Sequence, residues 1–232
     1  MKKLIIIPAY NEDTSIVNTV KDIIENANGY DYIIINDCSS DSTLNLCCNN
    51  RFCVINLPIN LGIGGAVQTG YKYAYLNNYD YVVQIDGDGQ HNPKYLDAMF
   101  KTMIEEDADM VIGSRFINKI GFQSTKLRRI GIRYFSTMIY LLTGYFITDP
   151  TSGFRMVNKR LIEIFAKDYP RDYPEPESIV FALKNKFVVK EVPVIMRSRQ
   201  GGVSSISFKS SIYYMIKVSI AIILERIRGN GS

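Results

Sequence analysis

The chain has no tryptophan and a single histidine, His91. Its four cysteines, Cys38, Cys47, Cys48 and Cys53, show no C-x-x-C spacing, and adjacent Cys47 and Cys48 are poor disulfide partners. They read as reduced thiols of a cytosolic protein. No segment reaches the ~18 consecutive apolar residues of a membrane span. The start, Met1-Lys2-Lys3 followed by Leu4–Ile7, has the outline of a secretory signal, but Pro8 and Asn11-Glu12 end the apolar run after four residues. A signal needs about 7–15, so a first β-strand is expected instead. The net charge of +4, from 27 basic and 23 acidic residues, is too mild to argue for nucleic acid. It suits anionic small ligands or an anionic membrane surface. There is no internal repeat, no low-complexity stretch, no G-x-G-x-x-G fingerprint and no G-x-x-x-x-G-K-[ST] phosphate loop.

What is there is a chain of 232 residues, 47% hydrophobic and 22% charged, enough to bury the core of one α/β domain. Short apolar runs alternate with helical patterns. Leu4–Ile7, Tyr32–Ile35, Cys53–Asn56, Tyr81–Ile85 and Met110–Ile112 read as strands. Between them, Ile16, Val20, Ile23, Ile24 and Ala27 mark one helix face, with Asp13 or Thr14 as its cap. Ala66, Val67, Gly70, Tyr71 and Ala74 mark a helix over 62–77, and Asn92-Pro93 opens a further one as cap and first residue. This β-α-β rhythm predicts a mainly parallel, doubly wound sheet flanked by helices. Farther on, Arg128–Gly144 reads as a helix, Thr148–Arg155 as a loop and Val188–Met196 as extended. Ser207 to about Arg228 reads as an amphipathic helix whose apolar positions are Ile212, Met215, Ile216, Ser219, Ile220 and Ile223, with Lys209, Lys217, Arg226 and Arg228 adding charge. That helix suits a membrane interface, or alternatively a core or dimer contact.

The chemistry gathers at strand ends. Asp86-Gly87-Asp88 follows the run Tyr81–Ile85, so both carboxylates emerge at the C-terminal edge of a buried strand, where open α/β sheets bind ligands. Such a pair offers a hard oxygen site for Mg²⁺ or Mn²⁺ bridging the phosphates of a nucleotide diphosphate. Pro8-Ala9-Tyr10-Asn11-Glu12 is a strand-to-helix turn in which Tyr10 could stack on a base and Glu12 bond a ribose or base edge. In Asn36-Asp37-Cys38-Ser39-Ser40-Asp41-Ser42, Asp37 is expected to touch ligand and Asp41 to cap a helix. Gly62, Gly64 and Gly65 permit close backbone approach and bare N–H groups at a helix start.

With these loops in order the chain resembles the family 2 glycosyltransferases. The matching stretches are IIIPAYNE, NDCSSD, NLGIGGAVQTGYKYA, QIDGDGQHNP, VIGSRF and TDPTSGFR, up to about residue 155. The resemblance implies a GT-A fold over residues 1–205, with a nucleotide-binding half to about 115 and an acceptor half beyond it, followed by the helix of 206–232. It implies a nucleotide-sugar donor and inverting transfer, closest in pattern to the dolichyl- and polyprenyl-phosphate hexose synthases. By position, Pro8, Tyr10, Glu12, Asp37, Gly62, Gly65, Asp86 and Gly87 would hold the nucleotide. Asp86 and Asp88 would form the DxD pair, Asp88 being the firmer metal ligand. Gln90, Arg115, Arg129, Arg155, Arg197, Arg199 and Ser204 would line donor or acceptor phosphates. Asn36 departs from the family pattern, which often has a first Asp there; Asp37 remains.

The expected reaction is metal-dependent transfer of a hexose-type sugar, from a UDP-sugar ahead of a GDP-sugar, to polyprenyl phosphate. The alternative acceptor is a hydroxyl of a glycan or lipid-linked saccharide, which requires a base; Asp149, Glu175 and Glu177 are the candidates. Nucleotidyl transfer fits less well, since the first loop lacks glycine and basic residues. A non-catalytic nucleotide-binding module is the remaining class. The expected setting is the inner face of the cell membrane, held peripherally, with a homodimer left open.

Overall fold

The computed structural model describes residues 1–121, 126–197 and 208–227. The elements run β1 (Lys3–Ala9), α1 (Ile16–Asn26), β2 (Asp31–Asn36), α2 (Thr43–Asn49), β3 (Val54–Asn56), α3 (Gly62–Leu76) and β4 (Tyr81–Gln84). A 3₁₀ turn, Pro93–Tyr95, leads into α4 (Leu96–Glu105), followed by β5 (Met110–Ser114), α5 (Lys126–Thr143) and β6 (Arg155–Asn158). Then come α6 (Lys159–Lys167), α7 (Pro174–Lys184), β7 (Val189–Pro193) and α8 (Phe208–Ile227).

One seven-stranded sheet has the order β3-β2-β1-β4-β6-β5-β7. Side chains alternate along a strand, and β1 uses both faces. Leu4 and Ile6 pack with α3, α6 and α7 residues such as Val67, Phe165 and Val180. Ile5 and Ile7 pack on the other face with Val20, Met99 and Met103 of α1 and α4. A strand covered on both faces is apolar throughout, which is why Leu4–Ile7 shows no alternation in sequence. The registers Ala9↔Asn36 and Ile6↔Gln84 bring the ends of β1, β2 and β4 to one edge.

The sheet departs from the expected rhythm at one place. β6 is antiparallel to both neighbours, pairing Arg155 with Gln84 of β4 and with Ile112 of β5. Thr148–Arg155 therefore does not stay a loop to its end: Arg155 begins a strand. The expected cap of α1 also shifts. Ser15 is the cap residue, and its hydroxyl donates to Glu12 without accepting from a helix N–H. Asn92 and Pro93 do open their turn as expected, with Asn92 Oδ1 accepting from Lys94 N.

α7 is placed by two contacts. Gly64 at the start of α3 donates its N–H to Arg171 O at 3.2 Å, and a Cβ on Gly64 would collide with the carbonyls of Pro170 and Arg171. Arg155 is fully buried. Its Nε and Nη2 donate to Ser152 O, and its Nη1 donates to Glu175 O at 2.9 Å and Ser178 Oγ at 2.7 Å. The second half thus closes over the head of the sheet. α8 buries Val218 and Ile222 in the same core as Phe135 and Ile139 of α5. Ile216, Ile220 and Ile223, three of the apolar positions read from the sequence, are exposed.

Replacing Arg155 by Met keeps volume but strands buried acceptors, at about 1–3 kcal/mol for each group left unpaired. In a chain of this size the melting temperature should fall by about 5–15 °C. A calorimetric Tm within about 2 °C of wild type would show that α7 is held by packing alone.

Candidate active site

Asp86 and Asp88 stand at the head of β4, on a loop stitched to β1. Ile85 N donates to Ile6 O at 3.0 Å, Gly87 N to Pro8 O at 3.3 Å, and Thr19 Oγ1 of α1 to Gly87 O at 3.1 Å. Gln84 Nε2 donates to Asp86 Oδ1 at 2.9 Å, and His91 Nδ1 accepts from Asp86 N at 3.0 Å. Asp88 is buried, and its Oδ1 accepts from Gln90 N at 3.0 Å. Gln90 continues the chain of contacts: its carbonyl accepts from Arg197 N at 3.0 Å, and its amide donates to Arg197 O at 3.4 Å.

The first three loops lock together beside this pair. Glu12 N donates to Thr43 Oγ1 and Asn11 N to Ser39 Oγ, while Asn11 Oδ1 accepts from Ser40 N. Asn11 and Cys38 both have positive φ, at 55° and 57°, a strained state that surrounding structure must hold. Asp37 is buried, and its Oδ1 accepts from Leu61 N at 2.7 Å, tying the second loop to the Gly62–Gly65 turn. The cap position of α2 is Ser42, not Asp41; Asp41, one residue earlier, accepts from Thr43 N at 2.9 Å and from Asp13 N at 3.1 Å. Burial raises its carboxyl, but these hydrogen bonds outweigh that and leave it below its ordinary value. Tyr10 is exposed at the rim and Glu12 half-buried, its Oε2 accepting from Ser15 Oγ.

The second half sorts the remaining candidates. Asp149 is fully buried, and both its oxygens accept from Arg115, at 2.6 Å from Nε and 2.7 Å from Nη2. Glu191 of β7 holds the same turn, accepting from Thr148 and from Asp149 N. Asp149 and Arg115 therefore answer each other, and neither is presented as an open base or an open phosphate ligand. Arg155 is likewise turned inward. Glu175 lies within electrostatic range of Asp86: burial pushes its carboxyl up, Arg155 opposes this, the Asp86 charge adds to the rise, and Arg128 pulls it down. Glu177 turns elsewhere, into a groove of about 760 Å³ between the start of α7 and α8, lined by Arg171, Asp172, Tyr173, Lys217, Leu224 and Glu225 among others. Arg129 is exposed near the start of α5, and Arg197 pairs with Asp22 of α1 at 2.7 Å. Arg199 and Ser204 lie outside the described residues.

Three residues at the site went unmarked in sequence as site residues: Gln84, Arg128 and Gly153; the lone histidine, His91, reads in sequence as structural ahead of a metal or phosphate contact. A Cβ on Gly153 would stand 3.1 Å from Asp86 Oδ2 and 2.9 Å from Gln84 Nε2, so a side chain there would displace the carboxylate or the amide that holds it. Its place within TDPTSGFR was the available signal. Among the described residues no group of three or more His, Cys, Asp or Glu side chains could hold a metal unaided. Mg²⁺ is commonly held by one or two carboxylates completed by substrate phosphates, and the all-oxygen pair Asp86 and Asp88 fits that mode, as it would for Mn²⁺.

Glu177 yields a stability test. Its carboxyl is pushed up to about 7 by burial, then by Glu225 and Asp172. A carboxyl raised in the folded state contributes stability while protonated, and loses it as pH rises from its ordinary value of 4.5 through about 7. Glu177→Gln should therefore leave the melting temperature at pH 4.5 near wild type and raise it at pH 8. An equal change at both pH values in a thermal scan would contradict the strain.

The match to known proteins agrees with this geometry. The model of glycosyl transferase family 2 matches residues 4–165. A UDP-N-acetylglucosamine–dolichyl-phosphate N-acetylglucosaminyltransferase of Methanococcus voltae is 32% identical over 210 residues, covering 82% of this chain and 83% of its own. A polyprenol monophosphomannose synthase of Mycolicibacterium smegmatis is 28% identical, covering 98% and 91%. In fold, the chain resembles glucosyl-3-phosphoglycerate synthase from Mycobacterium tuberculosis, solved with Mn²⁺, UDP-glucose and phosphoglyceric acid, at a TM-score of 0.74 and 17% identity over 97% of this chain and 79% of that one. The protein thus belongs to glycosyl transferase family 2 and is a glycosyltransferase of GT-A fold.

Proposed function

We propose that the protein moves a hexose-type sugar from a UDP-sugar to a polyprenyl phosphate, with inversion. The carrying observation is the Asp86–Asp88 pair at the shared edge of β1, β2 and β4, with the loops of Tyr10, Glu12 and Asp37 alongside. The nucleoside lies against those loops, and Asp86 and Asp88 would hold a divalent cation. Such a cation supplies positive charge to the departing diphosphate. Gln84 fixes the Asp86 carboxylate, and Arg128 with Arg129 brings further positive charge from the start of α5. A lipid phosphate is already an anion, so it attacks the anomeric carbon from the face opposite the diphosphate without a base. UDP stands ahead of GDP because the 32%-identical relative carries UDP-N-acetylglucosamine in its name.

A hydroxyl acceptor is the second reading, favoured by one observation: Glu175, with its carboxyl pushed up, lies within electrostatic reach of Asp86. It would serve as the base, in place of Asp149 and Glu177.

The test incubates the protein with Mn²⁺ or Mg²⁺, labelled UDP- and GDP-sugars and a short polyprenyl phosphate. Chromatography should show metal-dependent label in the lipid. Asp88→Ala should reduce transfer about 10²-fold or more with an unchanged circular dichroism spectrum. Free UDP without labelled lipid would favour the hydroxyl reading, and an active Asp88→Ala enzyme would remove the cation from Asp88.

Peripheral contact with the inner face of the cell membrane belongs to the same proposal. Among the described residues no helix is long and apolar enough to cross a membrane. Ile130, Tyr134 and Leu141 of α5 and Ile216, Ile220 and Leu224 of α8 are exposed, and Arg133 and Lys217 are exposed on the same helices. Apolar residues flanked by cations suit an anionic lipid surface. The protein should co-sediment with anionic vesicles, less so at high salt, and Ile220→Asp with Leu224→Asp should release it. A homodimer by light scattering that the same pair of changes dissolves would assign this face to a second copy instead.

A further inference from the structure

We propose that His91 is a positioning residue for Asp86, holding that carboxylate in one orientation toward the cation and diphosphate; the inference rests on the function proposed above. A backbone N–H just past a strand end ordinarily finds water. That of Asp86 instead donates to His91 Nδ1 at 3.0 Å. An accepting Nδ1 puts the proton of the neutral ring on Nε2, and Nε2 lies 3.6 Å from Asp86 Oδ2. The imidazole therefore meets the same residue at its main chain and its side chain.

The ring itself cannot turn. It is 4% exposed and stacks on Phe154, with centroids 5.0 Å apart and planes 12° from parallel. Phe154 is fully buried, and its carbonyl accepts from Gly113 N of β5 at 2.7 Å. Gly153, the residue before it, is the one whose Cβ would press on the Asp86 carboxylate. Asp86 is thus bracketed by Gln84, Gly153 and His91, and the bracket is anchored in the sheet through Phe154. Asp88 is held differently, by the Gln90 N–H. His91 acts on one carboxylate of the pair, and through it on the cation. Neighbours that orient a metal ligand typically matter 10–100-fold in metal affinity or activity.

Two variants separate positioning from packing. Asn and Gln both lose the stack on Phe154. The amide oxygen of Asn falls near the place of Nδ1 and can accept from Asp86 N, whereas the amide of Gln reaches the place of Nε2. Binding of UDP with Mn²⁺ is read by calorimetry, together with kcat and KM for the donor. His91→Gln, which loses the main-chain bond, should weaken binding by about 10–100-fold, while His91→Asn, which keeps that bond and loses only the Nε2 approach, should weaken it clearly less at a similar melting temperature. Equal weakening in both, wild-type behaviour in both, or failure of both to fold would overturn the positioning role. A wild-type protein that binds neither UDP nor Mn²⁺ would fail earlier, at the proposed function, and would overturn both readings.

Discussion

A guanidinium sealed from water must find its partners inside the protein, and that of Arg155 finds them on two elements at once. It sits where β6 passes between β4 and β5, and it reaches Ser152 before the strand and Glu175 and Ser178 at the start of α7. This ties the start of α7 to the sheet beside the edge that carries Asp86. Ser178 passes the constraint on, donating in turn to Pro174 O. Glu175 is therefore held near Asp86 through its main chain, by a bond that lies beneath both carboxylates.

Charge at the site is sorted by the same inward bonding. Arg115 and Arg155 are engaged with protein acceptors, Arg115 through both oxygens of Asp149. The head of the sheet is left with Asp86, Asp88 and Glu175, countered from α5 by Arg128. Under the proposed function, an anionic diphosphate would meet repulsion there until a cation is bound, so cation and nucleotide would belong to one binding event.

The legible part of the fold was its parallel part. Runs such as Leu4–Ile7 and Tyr81–Ile85 are apolar because both faces are covered, and the loops after them fall on one edge by topology alone. β6 was not legible: Arg155-Met156-Val157-Asn158 is short, has polar ends, and pairs antiparallel with strands far away in sequence. In the site, residue types were readable but their directions were not. Nothing local says that Asp149 turns to Arg115, that Glu177 turns to α8, or that Arg155 is sealed. The periodicity of α8 gave a helix, yet which stripe it buries depends on α5 and α7, and Val218 and Ile222 won that place. His91 carried only its nearness to Asp88 in the chain.

The antiparallel strand also sets an order of assembly. β5 does not touch β4; β6 lies between them. While the chain is being synthesised, β4 and β5 are complete long before Arg155–Asn158 emerges. Through that interval each exposes an unpaired edge, and open edges recruit neighbouring chains. β4 and β5 are joined only when β6 is inserted, a long-range pairing that slows folding and ties completion of the sheet to residues made more than a hundred positions later than β1.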